Sequence, residues 1–338
     1  LARDRSESEV SIRGSNLIEA LAAGLACGPR FASRDACLPA RKLAVAIHAV
    51  RQWVEELTSP GDCVGFALPA GIGAVAAFFG ILRAGRIPVG VNWTTGRAFA
   101  EHGAAHVDMK LLVTAEALVS RVGDAFPSFV PQLLLDAKLR SGPPVKAILR
   151  ALLPSFGMAS RATEADVAAI LFTSGSESMP KAVPLTHGNI LANCRDVINA
   201  LSLESKDKIM CMLPPFHSLG LLANVVLPSC AGFDAAFSPD PTDGGETAAI
   251  AGAFGATVVA GTPTFLRMML DRAQDGLPSL RLAFVGAEKA PPSLWASFAE
   301  KCPSAQLLEG YGVTECSPVV SVSRPGDPAR GTMGRPLD

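Results

Sequence analysis

The chain has 338 residues, of which 49% are hydrophobic and 18% are charged, with 30 Lys and Arg against 31 Asp and Glu. This composition excludes a disordered or fibrous chain. A formal net charge of −1 provides no overall positive field, which argues against nucleic acid as a partner and disfavours anionic membrane surfaces. The length predicts one large domain or two domains of ordinary size.

The eight cysteines lie at least ten residues apart, so the sequence contains no CxxC pair for zinc or redox chemistry. We expect reduced, mostly buried thiols in a cytoplasmic protein. The chain starts at Leu1 without a leader-like segment and stops at Asp338 after a Gly-Arg-Pro turn, so we interpret it as a fragment.

The uncharged runs 63–82 and 209–233 are long enough to span a membrane. Turn residues interrupt both of them, at 69–73 in the first run and at Pro214 and Pro215 in the second. A parallel sheet that is buried on both faces also produces continuous apolar runs, and it explains these two better than a lipid environment does.

Short apolar strands alternate with helical stretches along the chain. Strands are predicted at 63–68, 87–91, 111–114, 133–135, 168–173, 208–213, 233–237, 257–260, 282–285 and 306–308. Helices are predicted at 41–58, 74–84, 186–200, 243–254, 263–273 and 291–301. This alternation predicts an α/β fold with two doubly wound, mostly parallel sheets and flanking helices. The basic, Pro-rich stretch 138–161 is interpreted as the seam between a first subdomain, 1–160, and a second, 161–338.

The segment 168–189, AAILFTSGSESMPKAVPLTHGN, is the most informative part of the sequence. A buried strand ends there in a polar loop, and Lys181 and a helix N-cap at Thr186 follow. Loops at the carboxyl ends of strands in an open α/β sheet are placed to meet ligands. Hydroxyls and backbone N–H groups can bind phosphate oxygens while an ammonium neutralises their charge, so the loop favours a nucleoside triphosphate.

Considered alone, this loop is also consistent with a polar surface turn. Ser and Gly are ordinary turn residues, so a turn accounts for the stretch about equally well. The pattern GxxxxGK[ST] occurs nowhere in the sequence, which excludes a kinase or GTPase of the P-loop type.

The segment TSGSESMPKAVPLTHGN resembles the phosphate-loop signature TSGSTGxPKGVxxTHxN of the AMP-forming acyl-activating (adenylate-forming) superfamily. Three further similar segments follow in the expected order, LPPFHSLGL (213–221), GAEK (286–289) and EGYGVTECSP (309–318). Within the superfamily, these motifs most resemble those of the acyl-carrier-protein synthetase region of bifunctional 2-acylglycerophosphoethanolamine acyltransferases. That region also resembles this sequence at VNWTTG (91–96). None of the five histidines completes the H-x-x-x-x-D pair of the acyltransferase half.

The resemblance implies activation of a fatty acid with ATP and Mg²⁺, giving an acyl-adenylate and pyrophosphate. The acyl group then passes to the thiol of an acyl carrier protein or of coenzyme A. The fold implied is the amino-terminal domain of an acyl-adenylate synthetase. The ribose-binding aspartate and the carboxyl-terminal domain with its catalytic lysine are expected beyond Asp338, and any peripheral association with the inner membrane is expected through that missing part.

The same resemblance assigns residues to the nucleotide. The β- and γ-phosphates are held by Thr173, Ser174, Gly175, Ser176 and Lys181. The nucleoside is lined by Gly286, Ala287 and Glu288, and by Tyr311, whose ring stacks on adenine beside Glu309, Gly310 and Gly312. Thr314 contacts the α-phosphate and Glu315 holds Mg²⁺, so that Lys181, His217, Thr314 and Glu315 form the catalytic set.

The acid is assigned to the segments around His217. This residue borders the carboxylate, Gly220 and Leu221 open an acyl tunnel, and Gly261, Thr262 and Pro263 form another wall. The apolar surroundings fit a fatty acyl chain better than an amino acid. A structural histidine and an ordinary half-buried tyrosine are the alternatives for His217 and Tyr311.

Three positions depart from the superfamily signature, since Glu177 and Ser178 replace Thr-Gly and Ala182 replaces Gly. The departures leave open a degenerate module that binds nucleotide or acyl ligand without turnover. A second rival is an NAD-dependent oxidoreductase that uses 71–76, a stretch better explained by tight helix packing. His102 and His106 could share a metal ion, although a solvated helix face is the preferred interpretation.

Overall fold

The structure, a computed structural model, describes residues 10–173, 180–326 and 331–338. In chain order, the described strands are β1 (Arg30–Ala32), β2 (Cys37–Pro39), β3 (Cys63–Phe66), β4 (Ile87–Gly90), β5 (Leu111–Thr114), β6 (Gln132–Leu134), β7 (Val167–Thr173), β8 (Lys181–Thr186), β9 (Lys208–Cys211), β10 (Asp234–Phe237), β11 (Val258–Gly261), β12 (Leu282–Val285), β13 (Gln306–Gly312), β14 (Val319–Val322) and β15 (Arg335–Pro336).

The helices connect these strands and cover the sheets. They are α1 (Leu17–Ala26), α2 (Ala40–Leu57), α3 (Ile72–Arg83), α4 (Arg97–His106), α5 (Glu116–Val122), α6 (Leu135–Arg140), α7 (Val145–Ala151), α8 (His187–Ala200), α9 (Ser218–Gly220), α10 (Leu227–Ala231), α11 (Gly244–Phe254), α12 (Pro263–Arg272) and α13 (Pro292–Lys301). A π-helical stretch, Leu221–Val226, joins α9 to α10. No helix in the described ranges is both long and apolar enough to cross a bilayer.

The described strands form two sheets, each parallel at its centre, with antiparallel pairing at one edge of the first sheet and at both edges of the second. The first has the order β6-β5-β3-β4-β7-β8, with only β8 antiparallel to its neighbour. The second has the order β15-β14-β13-β12-β11-β9-β10-β1-β2, in which β2, β14 and β15 are antiparallel. The predicted α/β fold with two mostly parallel sheets is confirmed.

Sheet membership does not follow chain order. The early strands β1 and β2 belong to the second sheet, whereas β7 and β8 belong to the first. The stretch 138–161 connects β6 to β7, two strands of the same sheet, so it does not divide the strands of one sheet from those of the other. A division into subdomains at residue 160 stays a prediction.

Burial on both faces explains why the central strands read as continuous apolar runs. The strands β5, β11 and β12 are buried at every position. The largest core lies between the sheets and includes residues of α1, α2, α3 and α8. Smaller cores under α11, α12 and α13 and under α4 and α5 cover the outer faces of the second and first sheets. Helices therefore sandwich each sheet.

The start of α8 joins two distant parts of the chain. Thr186 is its N-cap, as predicted, and exchanges hydrogen bonds with Asn189 in a capping box. The next residue, His187, is buried, and its Nδ1 accepts a hydrogen bond from the Leu17 backbone N–H at 3.1 Å. Burial lowers the pKa of His187 to about 4. The imidazole therefore stays neutral at physiological pH and anchors α1 to α8.

Acidification should destabilise the protein through His187. The unfolded-state pKa is about 6.5 and the folded-state pKa about 4, so the stability that the neutral ring provides is complete above pH 6.5 and falls as the pH drops toward 4. We expect a loss of about 2 kcal/mol between about pH 7 and about pH 5 from this group.

The measurement is urea unfolding at both pH values for the wild type and for His187→Asn, whose amide oxygen can still accept from Leu17. The variant should lose about 2 kcal/mol less on acidification. The matched control His106→Asn, at an exposed histidine, should behave like the wild type. An equal pH dependence in all three proteins would contradict the assignment.

Candidate functional site

A cavity of about 890 Å³ lies at the carboxyl ends of strands from both sheets. This is the edge at which open α/β sheets bind ligands. The first sheet contributes residues that follow β3, β4 and β5, and the second sheet contributes residues that follow β9 to β13. The lining includes Trp93, Arg121, Phe216, His217, Ser218, Leu219, Asp240, Thr262, Phe284, Gly286, Ala287, Glu288, Gly310, Tyr311, Gly312, Thr314 and Val319.

One wall of the cavity is built from two neighbouring strand ends. Residues 286–288 follow β12, and Tyr311 lies near the end of β13, the strand next to it. The Tyr311 side chain is 45% exposed, so its ring is available to the cavity. Glu288 accepts a hydrogen bond from Thr264 at 3.1 Å. The structure thus brings the predicted nucleoside residues Gly286, Ala287, Glu288 and Tyr311 together.

The glycines on either side of Tyr311 have a structural reason. A Cβ at Gly310 would overlap the Phe284 ring, and a Cβ at Gly312 would overlap the Pro318 carbonyl oxygen. Both positions line the cavity. Close approach of a flat base is not needed to explain these glycines, since the protein's own atoms already require them.

Thr314 links the wall that carries Tyr311 to the segment that carries His217. Its hydroxyl lies 3.3 Å from the hydroxyl of Ser218, the residue after His217. Thr314 and Glu315 share a 3₁₀ turn, and the Glu315 side chain is exposed. The strand β8, which begins at Lys181, contacts this turn. His217 and Thr314 therefore line one cavity, while Glu315 lies on the same turn as Thr314 and Lys181 begins a strand that contacts this turn.

His217 lies at the end of the loop that follows β9, at the N-cap of α9, and it lines the cavity. The His217 residue is exposed toward the cavity, and partial desolvation by the neighbouring atoms lowers the pKa of its imidazole. Its ring centroid lies 4.6 Å from that of Phe216, which contacts Trp93 edge-on at 4.6 Å. Trp93 comes from the first sheet, so this aromatic contact joins the two sheets beside the histidine.

A second, apolar cavity of about 30 Å³ lies behind the first. Three side chains, Leu219, Phe284 and Val319, line both cavities and form the partition between them. Leucine, valine, isoleucine and alanine side chains make up the rest of the inner lining. The partition therefore separates the open cavity from space that only apolar atoms can occupy at low cost.

An ion pair between the two sheets also lines the cavity. Arg121 from α5 of the first sheet contacts Asp240 after β10 of the second sheet, with 2.6 Å between Nη2 and Oδ2. Burial raises the pKa of Asp240, but hydrogen bonds from Thr242 and Arg121 outweigh it and hold that pKa below its usual value. Sequence reasoning missed this pair, and no motif signals it, because the partners are 119 residues apart.

Several predicted residues lie outside the cavity lining. Leu221 is buried in the main core, and Gly261 and Pro263 flank Thr262, which does line the cavity. Glu309 is buried, and its carboxylate accepts from the backbone N–H groups of Ala290 and Gly331. These contacts give Leu221, Gly261, Pro263 and Glu309 structural positions, and a direct role in binding stays a prediction.

The phosphate loop is described only at its two ends. Thr173 closes β7 and pairs in register with Lys181 of β8. Ala182, which departs from the glycine of the signature, pairs in register with Phe172 and has no positive φ, so a Cβ fits at this position. Ser174, Gly175, Ser176, Glu177 and Ser178 lie outside the described residues.

The donor set around the cavity determines which metal could bind. Within the described ranges, no three His, Cys, Asp or Glu side chains come close enough to hold an ion by themselves. Glu315 offers a single exposed carboxylate, which fits Mg²⁺ when phosphate oxygens of a substrate supply the other ligands. His102 and His106 are both exposed, as expected of a solvated face.

The glycines at 71 and 73 do not mark tight packing. An added Cβ would lie 3.8 Å from the nearest atom at Gly71 and 3.5 Å at Gly73, which are ordinary contacts. The preferred explanation of this stretch was therefore wrong. Helix α3 instead approaches α2 closely at Gly80, where a Cβ would lie 2.6 Å from Val50.

Comparison with known proteins identifies the family to which this chain belongs. The sequence profile of the AMP-binding enzyme family matches residues 50–338. The chain is 28% identical over 306 residues to an oxalate–CoA ligase of Arabidopsis thaliana, covering 82% of this chain and 56% of that protein. It is also 28% identical over 295 residues to a long-chain-fatty-acid–CoA ligase of Bacillus subtilis, covering 77% of this chain and 52% of that protein. The chain thus spans about half the length of the curated relatives it matches.

Solved structures share the fold. The anthranilate CoA ligase AuaEII in complex with anthranoyl-AMP superimposes with a TM-score of 0.80 at 21% identity, covering 97% of this chain and 64% of that one. The amino-terminal domain of FACL13 from Mycobacterium tuberculosis superimposes with a TM-score of 0.79 at 18% identity, covering 96% of this chain and 83% of that one. These identities support the fold alone, whereas the profile match over most of the sequence establishes that this chain belongs to the AMP-binding enzyme family.

Proposed function

We propose that the protein activates a medium- or long-chain fatty acid with ATP. A carboxylate oxygen of the acid attacks the α-phosphorus, the bond from that phosphorus to the bridging oxygen breaks, and pyrophosphate leaves with its electron pair. A thiol of an acyl carrier protein or of coenzyme A then attacks the acyl carbon, loses its proton and displaces AMP. Positioning and charge stabilisation dominate such a phosphorus-centred step.

The observation that carries this proposal is one cavity with two chemically different walls. Tyr311, the strand end 286–288 and Thr314 offer an aromatic face, backbone groups and a hydroxyl. Trp93, Phe216 and Phe284 offer apolar surface. A nucleotide and an apolar acid can therefore occupy one cavity with their reacting ends close together.

Each polar residue would have a separate task. Lys181 would neutralise the leaving phosphates, and Thr314 would donate to the α-phosphate. Neutral His217 would border the acid carboxylate without adding a charge. Glu315 would hold Mg²⁺, which supplies charge neutralisation at the phosphates when it is bound.

The acyl acceptor is the finer part of the proposal. The sequence resemblance favours an acyl carrier protein, whereas the oxalate and long-chain-fatty-acid relatives are CoA ligases by name. Acyl transfer measured with both thiols would separate the two acceptors.

Replacement of Thr314 should impair the first step. We expect Thr314→Val to lower acid-dependent pyrophosphate release about a hundredfold in kcat, because a donor to the reacting phosphate is lost. The matched control is Ser218→Ala, which removes the hydroxyl partner of Thr314 at 3.3 Å but not the donor itself. Equal losses in both variants would show that Thr314 acts only through Ser218.

Removal of the Phe284 ring should lengthen the preferred acid. Phe284→Ala would connect the outer cavity to the apolar one behind it. About two further buried methylene groups, at about 0.8 kcal/mol each, would raise kcat/KM for a longer acid about tenfold relative to a shorter one.

The control is Phe265→Ala, since Phe265 lines only the outer cavity. It should leave the chain-length profile unchanged across a panel of acids. An unaltered profile in a folded Phe284→Ala protein would contradict apolar substrate binding through the partition.

A degenerate binding module is the alternative function, and the substitutions at Glu177 and Ser178 favour it. If these substitutions have weakened ATP binding, Ser178→Gly should raise ATP affinity at least about tenfold, measured by calorimetry. Wild-type pyrophosphate release that depends on a fatty acid, with no gain from Ser178→Gly, would exclude the alternative.

A further inference from the structure

Helix α7 carries its apolar side chains on the outside. Val145, Ile148, Leu149 and Leu152 follow the spacing i, i+3, i+4 and i+7, which places them on one face of a helix. Together with Leu153 they form what we call the apolar patch. These five side chains are 41–70% exposed. A surface helix of a globular protein normally turns such a stripe toward the core.

The inner face of α7 consists of alanine. Ala147 and Ala151 are each 1% exposed, belong to the main core and lie on the side of α7 that packs against α2. The short side chains allow the two helices to pack closely. Since this face is buried, rotation of α7 to bury the apolar patch would expose the alanines and break the contact with α2.

The segment after α7 is fixed by two buried groups. The Nε2 of His48 lies 2.8 Å from the Phe156 carbonyl oxygen, and Arg83 donates to the Gly157 carbonyl oxygen at 3.1 Å. Burial lowers the pKa of His48, so its ring is neutral and donates this bond through Nε2–H. These two contacts hold the chain that leaves the carboxyl-terminal end of the apolar patch.

The apolar patch lies in a segment whose charged residues are all basic. Between residues 137 and 163 the sequence contains five basic residues and no Asp or Glu. Lys146 and Arg150 lie on α7 itself, next to the apolar stripe by the 100° spacing of a helix. Arg140 is paired with Glu116. Lys146 and Arg150 are therefore the basic side chains that the helix itself places beside the apolar stripe.

We propose that the apolar patch and its basic neighbours bind the surface of a bilayer that contains anionic glycerophospholipid. Exposed leucines enter the boundary between headgroups and acyl chains, while Lys146 and Arg150 pair with lipid phosphates. A second copy of the chain is disfavoured, because a symmetric contact through this surface would oppose basic groups of like sign. The proposal does not depend on the proposed function, since none of the five patch residues is among the described residues that line the 890 Å³ cavity.

The test is flotation of the protein with vesicles of equal parts phosphatidylglycerol and phosphatidylcholine, and with vesicles of phosphatidylcholine alone. The wild type should partition into the anionic vesicles at least about tenfold more strongly. Leu149→Glu combined with Leu152→Glu should abolish flotation. Lys146→Gln combined with Arg150→Gln should weaken anionic binding about thirtyfold, from about 1 kcal/mol per basic residue.

Matched controls lie on α12, far from α7 in the chain. Met268→Glu introduces a charge at an exposed apolar side chain, and Arg272→Gln removes a basic one. Both variants should float like the wild type, and circular dichroism should show all variants folded. The proposal is overturned if the wild type does not float with the anionic vesicles, or if the protein with Leu149→Glu and Leu152→Glu still floats. It is also overturned if the patch variants instead lose self-association or binding to an acidic protein.

Discussion

The parallel pairing of strands in both sheets is the constraint on which the rest of the structure depends. Parallel strands point their carboxyl ends to the same edge, so each loop that follows a strand arrives at the same side. Here the loops after β3, β4 and β5 meet the loops after β9 to β13 around one cavity. Polar loops can occupy that edge because helices bury both faces of each sheet.

At this edge, Phe284 has three structural tasks at once. It fills the space over Gly310, lines the outer cavity beside Tyr311 and closes the inner apolar cavity. A single ring therefore connects the shape of the wall that carries Tyr311 to the apolar cavity behind it. A substitution of Phe284 that enlarges the apolar cavity can therefore also disturb the strand that carries Tyr311.

Two contacts join the sheets at the cavity. Trp93 against Phe216 and Arg121 against Asp240 each connect an element of the first sheet to one of the second. The Arg121 side chain is largely exposed, so its ion pair contributes little to stability, on the order of 1 kcal/mol or less. The aromatic contact contributes more to stability, since Phe216 is buried.

Sequence by itself determined the fold class and most central elements. Continuous apolar runs mark strands such as β5 and β12, because burial on both faces leaves no exposed position. It missed β1, β2, β8, β14 and β15, which lie at or near sheet edges where burial is incomplete and the pattern is weak. The ordered motifs also identified Tyr311, Thr314 and His217, which share one side of the molecule.

Only the tertiary structure decided which distant residues meet. The pairing of Arg121 with Asp240 and the partition at Phe284 join positions far apart in the chain, and no local pattern encodes such a contact. The apolar spacing of residues 145–152 can be seen in the sequence. Only the structure shows that these apolar side chains are exposed, because α7 packs its alanine face against α2. Net charge is a sum over the whole chain, so the expectation drawn from it could not take account of Lys146 and Arg150 beside exposed apolar side chains.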